Sequence, residues 1–261
     1  MEWLILLAAI VFGVPALVWL TQDRMIFFPQ PVASTPHLPA RASPLEVVSA
    51  EGTHLRGWIV KGSAAPAPAV IYFGGNAEEV SWTLADPRWP REWTIVAVNY
   101  RGYGASEGKP GERELTADAL AIYDAVVRQD DIDPHRIAVF GRSLGTAIAI
   151  HLATERPVAG AVLVSPYDSM TAIGKTHYPF LPVSLLLRHR FDALPDAKRN
   201  TMPLLAIVGE SDSIIPPERS RALFDAWAGP KMWQVVSRAD HNDLGNDEMF
   251  WNGVARFLGE R

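Results

Sequence analysis

The sequence predicts an α/β fold with a mostly parallel sheet and helices on both of its faces. Its 261 residues are enough for one large domain with a hydrophobic core. Apolar residues make up 48% of the chain and charged residues 20%, which is typical of globular proteins. Beyond residue 45, short apolar runs alternate with segments whose apolar residues recur at three- and four-residue spacing. This alternation is typical of parallel strands that are connected by helices.

Eight short segments are predicted to be strands. Residues 45–49 and 55–61 form an opening hairpin around Glu51 and Gly52. The other six are aliphatic or β-branched runs of the kind found in buried strands. They cover residues 69–73, 94–99, 136–140, 160–164, 204–208 and 232–236.

Four segments are predicted to be amphipathic helices, because their apolar residues recur every three to four positions. They cover residues 112–128, 143–154, 217–228 and 246–258. The stretch 165–200 interrupts the alternation, since it contains four prolines and an apolar patch at residues 178–187. It is too long for an ordinary connection, and we expect a short cap insertion over a site. A packed pair of surface helices is the alternative.

The N-terminal 28 residues are predicted to be a transmembrane anchor. Residues 3–20 carry no charge, and as an α-helix they would span about 27 Å, close to the roughly 30 Å of a bilayer core. Trp3 and Trp19 lie at the two ends, where indole rings favour the headgroup layer. A proline-spaced linker over residues 29–44 and a single domain over residues 45–261 are expected to follow.

A cleaved signal peptide and a buried core helix are the other interpretations of this N-terminal segment. The signal peptide is disfavoured because Glu2 stands where a basic residue is expected, and no small-residue cleavage site follows closely. Arg24 follows the segment and no basic residue precedes it. This difference of one positive charge between the two sides of the segment favours a membrane protein whose folded domain lies in the cytoplasm.

The composition excludes several classes of site. The chain has no cysteine, which excludes disulfides, zinc–thiolate sites, iron–sulfur clusters and a cysteine nucleophile. Its 24 basic and 29 acidic residues give a net charge of −5, without a concentrated basic run. A nucleic-acid-binding surface is therefore not expected.

The pentapeptide Gly-Arg-Ser-Leu-Gly at residues 141–145 matches a pattern in which a serine occupies a sharp turn between a strand and a helix. A predicted strand precedes it and a predicted helix follows it, so the hydroxyl of Ser143 would project from the edge of the sheet. A similar pentapeptide surrounds Ser106, but Lys109 and Pro110 follow it and cannot begin such a helix. Ser143 is therefore the predicted nucleophile.

A serine hydroxyl needs a base, and the base needs an acid that orients it. Asp212 follows the predicted strand at residues 204–208, and His241 lies in a polar loop after the last strand. The order of serine, acid and histidine is the one expected for a hydrolytic triad on such a sheet. Glu210 is the alternative acid.

The negative oxygen that forms during acyl transfer needs two fixed N–H donors. One donor is predicted to be the backbone N–H of Leu144, directly after the nucleophile. The second should come from the loop after the strand at residues 69–73, where the N–H of Asn76 is the first choice and that of Gly75 the second. A simple turn is the alternative interpretation of this loop.

Five segments together resemble the α/β-hydrolase superfamily, over the chain from about residue 45 to the C-terminus. The closest resemblance is to its N-terminally membrane-anchored, serine aminopeptidase-like branch, which is related to depalmitoylating thioesterases. Relatives in that branch usually have histidine and glycine where this chain has Gly74 and Gly75. A serine nucleophile argues against dehalogenase and epoxide hydrolase chemistry, which uses aspartate. The segments are residues 73–77, 99–108, 141–145, 165–169 and 209–216.

Residues and resemblance together predict a serine hydrolase that cleaves carboxylic esters or thioesters through an acyl-enzyme, without a cofactor or metal. The apolar cap and anchor favour a lipid-like or other small acyl substrate. We expect the substrate to contact four residues, which are Tyr167, Tyr178, Phe180 and Leu181. The sequence does not predict an oligomeric state.

Two alternatives stay open: a second enzyme activity, and a protein of a different functional class. A serine exopeptidase would need an acidic pocket for a free amino terminus, which Glu107, Asp168 or Asp192 could supply. A non-catalytic binding module could retain the fold, although it would not need all three triad residues. Because the predicted domain begins after the linker, a chain lacking residues 1–24 is expected to remain active on small esters.

Overall fold

The computed structural model describes residues 2–3, 13–32 and 38–261, and one sheet of eight strands dominates the described part. The strands are β1 (Ala42–Val48), β2 (His54–Val60), β3 (Ala67–Phe73), β4 (Thr94–Val98), β5 (Ile132–Arg142), β6 (Gly160–Val164), β7 (Leu204–Gly209) and β8 (Lys231–Val236). Their order across the sheet is β1-β2-β4-β3-β5-β6-β7-β8. The β1–β2 and β2–β4 pairs are antiparallel and the others are parallel. The predicted mostly parallel sheet is confirmed.

The α-helices of the described part include four long ones that match the four predicted helices, with ends that differ by at most two residues. Differences of this size are normal at helix ends. In chain order the helices are α1 (Val14–Ile26), α2 (Ser81–Leu84), α3 (Glu112–Val126), α4 (Leu144–Glu155), α5 (Met170–His177), α6 (Val183–Leu186), α7 (Leu194–Ala197), α8 (Pro217–Ala226) and α9 (Glu248–Gly259).

Two hydrophobic clusters cover the two faces of the sheet. Successive strand residues point to opposite faces, so in β5 Val139 joins one cluster and Phe140 joins the other. Helices α3 and α4 pack into the first cluster through residues such as Ile122 and Ile148, and α9 packs into the second through Phe257. The predicted helices on both faces are therefore confirmed.

Two strands begin three or more residues earlier than the sequence predicts. β1 starts at Ala42, inside the predicted linker, because Ala42 pairs with Val60 of β2. β5 starts at Ile132, which pairs with Ala67 of β3 ahead of a register shift. Partners distant in sequence decide both ends, and local patterns do not show such partners.

The order of the strands changes direction at β3, because β4 lies on one side of it and β5 on the other. The carboxyl ends of β3 and β5 are therefore neighbours, while the segments that follow them diverge. Open α/β sheets bind their ligands at such a switch point. Here the loop after β3 contains Asn76, and the turn after β5 contains Ser143.

Helix α1 has 13 residues and overlaps the end of the predicted anchor. Residues 4–12 of that anchor lie outside the described residues. Among the residues that are described, no helix combines the length and the hydropathy needed to cross a bilayer. The membrane anchor stays a prediction.

The C-terminal half of α1 packs against the rest of the domain. Gln22 is 3% exposed; its Nε2 donates to the carbonyl of Leu186 at 3.0 Å, and its Oε1 accepts from the backbone N–H of Arg188 at 2.8 Å. Phe27 is also buried and packs edge to face against His189. The end of α1 is therefore part of the packed domain, unlike the separate N-terminal part that the sequence predicts.

Between β6 and β7, the chain forms the short helices α5, α6 and α7. Ser169 caps α5 by accepting a hydrogen bond from the backbone N–H of Ala172, and no residue of α5 is fully buried. Residues of α5, α6 and α1 line a shared cavity that also reaches Ser143. This is the position expected of a cap.

Candidate active site

Ser143 lies on a sharp turn between β5 and α4. Its backbone angles, φ +51° and ψ −118°, are rare for a residue with a side chain. Gly145 must lack a side chain, since a Cβ there would lie 2.1 Å from the carbonyl oxygen of Phe73. The backbone N–H of Ser143 donates to the carbonyl of Val164 at 2.9 Å. The packed strands thus hold the strained turn in place.

The structure brings Ser143, His241 and Asp212 together. Nε2 of His241 lies 2.9 Å from Oγ of Ser143, and its Nδ1 lies 2.8 Å from Oδ2 of Asp212. All three residues are buried, with exposed fractions of 9%, 5% and 5% for serine, aspartate and histidine. This arrangement can move a proton from the hydroxyl to the imidazole while the carboxylate fixes the ring.

Asp212 is surrounded by hydrogen-bond donors. Besides His241, Oδ2 accepts from the Ser165 hydroxyl at 2.7 Å, and Oδ1 accepts from the backbone N–H of Ile215 at 2.8 Å. Burial alone raises the pKa of Asp212, but the bond to His241 and the other donors outweigh it, so the pKa lies below the usual value. The alternative acid, Glu210, instead accepts from the backbone N–H of Arg238 at 2.9 Å.

A second carboxylate, Asp240, links the loop of the histidine to the loop of the acid. Its Oδ1 accepts from the backbone N–H of Ser213 at 3.0 Å and from that of His241 at 2.7 Å. These two bonds, in that order, are the main causes that hold the pKa of Asp240 below its usual value. The spacing between His241 and Asp212 is therefore fixed by the backbone as well as by the side chains.

The predicted oxyanion donors differ in whether their N–H groups already donate a hydrogen bond within the described part of the protein. The backbone N–H of Gly75 donates to Oε2 of Glu78 at 2.7 Å, so it is not free to bind a substrate, and its selection was wrong. Within the described part of the chain, the backbone N–H groups of Asn76 and Leu144 donate no hydrogen bond. Both residues line one cavity together with Ser143. The two residues that carry these N–H groups therefore adjoin the same cavity as the nucleophile.

Glu78 connects three parts of the site and was missed from the sequence. It is 4% exposed, and it accepts from the Tyr72 hydroxyl at 2.6 Å, from the backbone of Gly75 at 2.7 Å and from Nη1 of Arg142 at 3.0 Å. Arg142 in turn donates to the carbonyl of His241 at 3.3 Å. The loop after β3 (the oxyanion loop), the turn that carries Ser143 (the nucleophile turn) and the loop that carries His241 (the histidine loop) are thus tied to one buried carboxylate.

The second serine, Ser106, lies in a different hydrogen-bond environment. Its hydroxyl donates to the carbonyl of Asn99 at 2.8 Å and accepts from the backbone N–H of Arg56, also at 2.8 Å. The first bond lies within the loop after β4, and the second holds that loop against β2. Among the residues that the structure describes, no imidazole is hydrogen-bonded to this serine, so none of them can act as its base.

A cavity of 260 Å³ opens beside Ser143. Three of the predicted substrate contacts, Tyr167, Tyr178 and Leu181, line it. The fourth, Phe180, does not line it and is 79% exposed, so its contact with substrate stays a prediction. Phe180 instead packs edge to face on Tyr178, at the outer side of the cap. Within the described residues, no group of His, Asp and Glu side chains is arranged to hold a metal ion.

Comparison with known proteins extends these observations. Residues 69–185 match the protein-family model described as "Serine aminopeptidase, S33". An uncharacterized protein of Mycobacterium tuberculosis, Rv2307c, is 37% identical over 98% of this chain and 93% of its own length. The chain belongs to the α/β-hydrolase superfamily.

Two solved structures show the same α/β-hydrolase fold. The α/β-hydrolase GrgF from Penicillium sp. sh18 has a TM-score of 0.72 and 19% identity, covering 85% of this chain and 99% of its own. An acetyl xylan esterase from Paenibacillus sp. R4 has a TM-score of 0.69 and 21% identity, covering 94% of this chain and 93% of its own. The family match ends before Asp212 and His241. In this hydrolase, the assignment of Asp212 as acid and His241 as base therefore rests on their predicted order along the sequence and on the distances given above.

Proposed function

We propose that this α/β-hydrolase cleaves carboxylic esters or thioesters of apolar acyl groups through an acyl-serine intermediate. The observation that carries the proposal is the buried chain of contacts from Ser143 through His241 to Asp212, with distances of 2.9 Å and 2.8 Å. A hydroxyl that contacts an oriented imidazole is an activated nucleophile. Asn76 and Leu144, whose N–H groups have no acceptor among the described residues, adjoin the same cavity and would supply the donors that acyl transfer needs.

The reaction follows from this geometry in two halves. His241 takes the proton of the Ser143 hydroxyl as the oxygen attacks the carbonyl carbon, and the N–H groups of Asn76 and Leu144 bind the resulting oxyanion. When the tetrahedral adduct collapses, His241 gives that proton to the leaving alcohol or thiol, and the acyl group stays on Ser143. Water then attacks the acyl-serine with His241 as base, which releases the acid and restores the hydroxyl.

The lining of the cavity supports an apolar acyl group as substrate. Apolar side chains dominate it, and no Asp, Glu, Lys or Arg residue lines it within the described residues. Ile173 and Leu187 from the cap face Ile215, which follows the loop of the acid. Binding an alkyl chain there removes apolar surface from water without leaving a charge unpaired. The acetyl xylan esterase among the structural neighbours supports the cleavage of ester bonds.

An exopeptidase is the second candidate, because the matching family model carries an aminopeptidase description. Each of the three carboxylates predicted to bind a free amine either pairs with an arginine or is exposed, and none of them lines the cavity. Asp168 pairs with Arg219 at 2.9 Å, Glu107 pairs with Arg56 at 3.3 Å, and neither lines the cavity. Asp192, the third, is exposed and also lies outside the lining. This distribution favours ester over peptide substrates.

Membrane attachment through residues 1–28 is part of this proposal. It is supported by the uncharged run at residues 3–20 and by the exposed apolar side chains of Leu17 and Leu20 on α1. Attachment of this kind would place the apolar cavity close to lipid-like substrates. The test is whether the full chain sediments with membranes and a chain lacking residues 1–12 does not.

Covalent labelling and a substrate panel test the proposed reaction. We expect a fluorophosphonate probe to label the full chain and to leave Ser143→Ala unlabelled, with Ser106→Ala as a matched control that still labels. The wild type should hydrolyse p-nitrophenyl acyl esters much faster than aminoacyl p-nitroanilides. The opposite preference would favour the exopeptidase. A folded wild type without labelling or turnover would be a non-catalytic binding module.

Glu78→Gln tests the buried carboxylate that joins the three parts of the site. The amide cannot accept all three bonds, so the oxyanion loop and the nucleophile turn should lose their common support. We expect kcat to fall about tenfold to a hundredfold, less than the roughly 10²–10³-fold loss that follows removal of an oxyanion donor. KM should change little by comparison, and the melting temperature should fall, because Arg142 loses its buried ionic partner.

Glu79→Gln is the matched control for Glu78→Gln. Glu79 is also buried, at 8% exposed, but its carboxylate binds Asn99 and Ser81, away from the nucleophile turn. It should affect stability without selectively lowering kcat. Equal kcat values in the two variants would show that Glu78 has no positioning role.

A further inference from the structure

We propose that α1 forms one wall of the acyl-binding site and limits it to medium-length acyl chains. This proposal rests on the proposed hydrolase function, because it describes the acyl side of the same cavity. It assigns a substrate-selecting role to a helix that the sequence places in the N-terminal anchor.

One face of α1 lines the cavity beside the nucleophile. The spacing of its four lining residues, by four, three and one positions, places them on a single side of the helix. The other side is turned outward, where Leu17 and Leu20 are 61% and 68% exposed. The lining residues are Val18, Gln22, Met25 and Ile26.

The direction of α1 relative to the nucleophile sets the order of these side chains. The end of the helix is fixed beside the oxyanion loop, because the side-chain amide of Asn76 donates to the carbonyl of Ile26 and its oxygen accepts from the N–H of Phe28. Val18 lies two helical turns, or about 12 Å along the axis, from Ile26. An acyl chain on Ser143 would therefore pass Ile26 first and reach Val18 last.

Gln22 fixes this wall against the cap and presents little polarity to the cavity. Its Nε2 donates to the carbonyls of Trp19 and Leu186, both at 3.0 Å, and its Oε1 accepts from the N–H of Arg188 at 2.8 Å. The donor and acceptor atoms of the amide are thus engaged within the protein. The contact left for a ligand is aliphatic, as it is at Ile173 and Leu181 on the cap.

The size of the cavity gives the length of chain that it can hold. A cavity of roughly 150 Å³ lined by aliphatic side chains takes up the six carbons of benzene. In proportion, the 260 Å³ beside Ser143 corresponds to about ten carbon atoms. Octanoyl and decanoyl groups fit this estimate, whereas a tetradecanoyl group exceeds it.

A series of p-nitrophenyl esters from butanoyl to tetradecanoyl, assayed on the full chain, tests the proposal. The wild type should show its highest kcat/KM at octanoyl or decanoyl. Val18→Trp fills the distal end, so kcat/KM for the decanoyl ester should fall about tenfold or more, the effect of excluding a few methylenes from an apolar pocket. The kcat/KM of the butanoyl ester should fall much less, because that acyl group does not reach Val18. Val18→Ala should move the optimum to longer esters.

Leu17→Trp is the matched control, because it introduces the same side chain on the exposed face of α1 and should leave the chain-length profile unchanged. Equal rates of fluorophosphonate labelling in Val18→Trp and wild type would show that the nucleophile turn is intact. A Val18→Trp profile that keeps the wild-type shape, or that falls equally for all esters, overturns the proposal. A wild type that neither labels nor cleaves any ester overturns the proposed function instead.

Discussion

Asp212→Asn is expected to lower kcat by about 10⁴-fold, the effect of replacing the acid of a serine triad with its amide. The carboxylate accepts from Nδ1 of His241 at 2.8 Å and so leaves Nε2 free to take the Ser143 proton. An asparagine can donate to Nδ1 instead, which would place the imidazole proton on Nε2 and block that transfer. Steady-state hydrolysis of the best p-nitrophenyl ester measures the loss.

Asp225→Asn is the control for this substitution, since Asp225 is an exposed carboxylate paired with Arg221 on α8. Its kcat should match that of the wild type. An Asp212→Asn variant with kcat within tenfold of the wild type would contradict the assigned role. A large loss of kcat in Glu210→Gln would then identify Glu210 as the acid.

The pH dependence of stability provides a second measurement on Asp212. Burial raises its pKa, but the bond to His241 and the other donors lower it further, so the folded value lies below the usual one. The ionised carboxylate therefore stabilises the fold above the ordinary aspartate pKa of about 3.9, and this contribution is lost as the pH falls through the folded value. Melting temperatures of the wild type and Asp212→Asn should differ near neutral pH and converge in acid.

Deletion of residues 1–24 is expected to lower kcat/KM for the decanoyl ester by about a hundredfold, since it strips several apolar contacts from the acyl site. It removes Val18 and Gln22 from the cavity wall and leaves the carbonyl of Leu186 without its side-chain partner. This result reverses the expectation from the sequence alone, in which the domain begins after the linker. The butanoyl ester should lose less, because it does not reach the far end of α1.

Deletion of residues 1–12 is the matched control, because it leaves all of α1 in place. It should keep the kcat/KM of the full chain for every ester, whether or not it still sediments with membranes. Full activity in the chain lacking residues 1–24 would contradict the role of α1. Equal losses in the two deletions would assign the effect to residues 1–12 instead.

The sequence predicted the fold and the meeting point of the triad because both depend on local signals. Strand and helix periods identify the sheet, and a glycine on each side of Ser143 marks a turn that few other residues allow. The order of strands then brings residues after β5, β7 and β8 to one edge, so Asp212 and His241 could be selected without coordinates. The structure places all three within hydrogen-bond distance.

The rest depends on contacts that no local pattern shows. Gly75 has the same backbone freedom as other glycines, and only the position of Glu78 shows that its N–H is occupied. The run at residues 3–20 predicts an apolar helix, but burial of Gln22 depends on two backbone groups more than 160 positions away in the chain. The exposed position of Phe180 likewise depends on how the cap folds. Tertiary partners decided each of these outcomes.

The linkage through Asp240 has a consequence for how this enzyme could be redesigned. The loops of the acid and the base are braced to each other and to the sheet, while α1, α5 and α6, which shape the acyl site, contribute none of the three triad residues. Acyl selectivity and proton transfer therefore depend on different elements of the fold. Libraries that randomise residues of α1, α5 and α6 can therefore select for new acyl substrates while the triad stays unchanged.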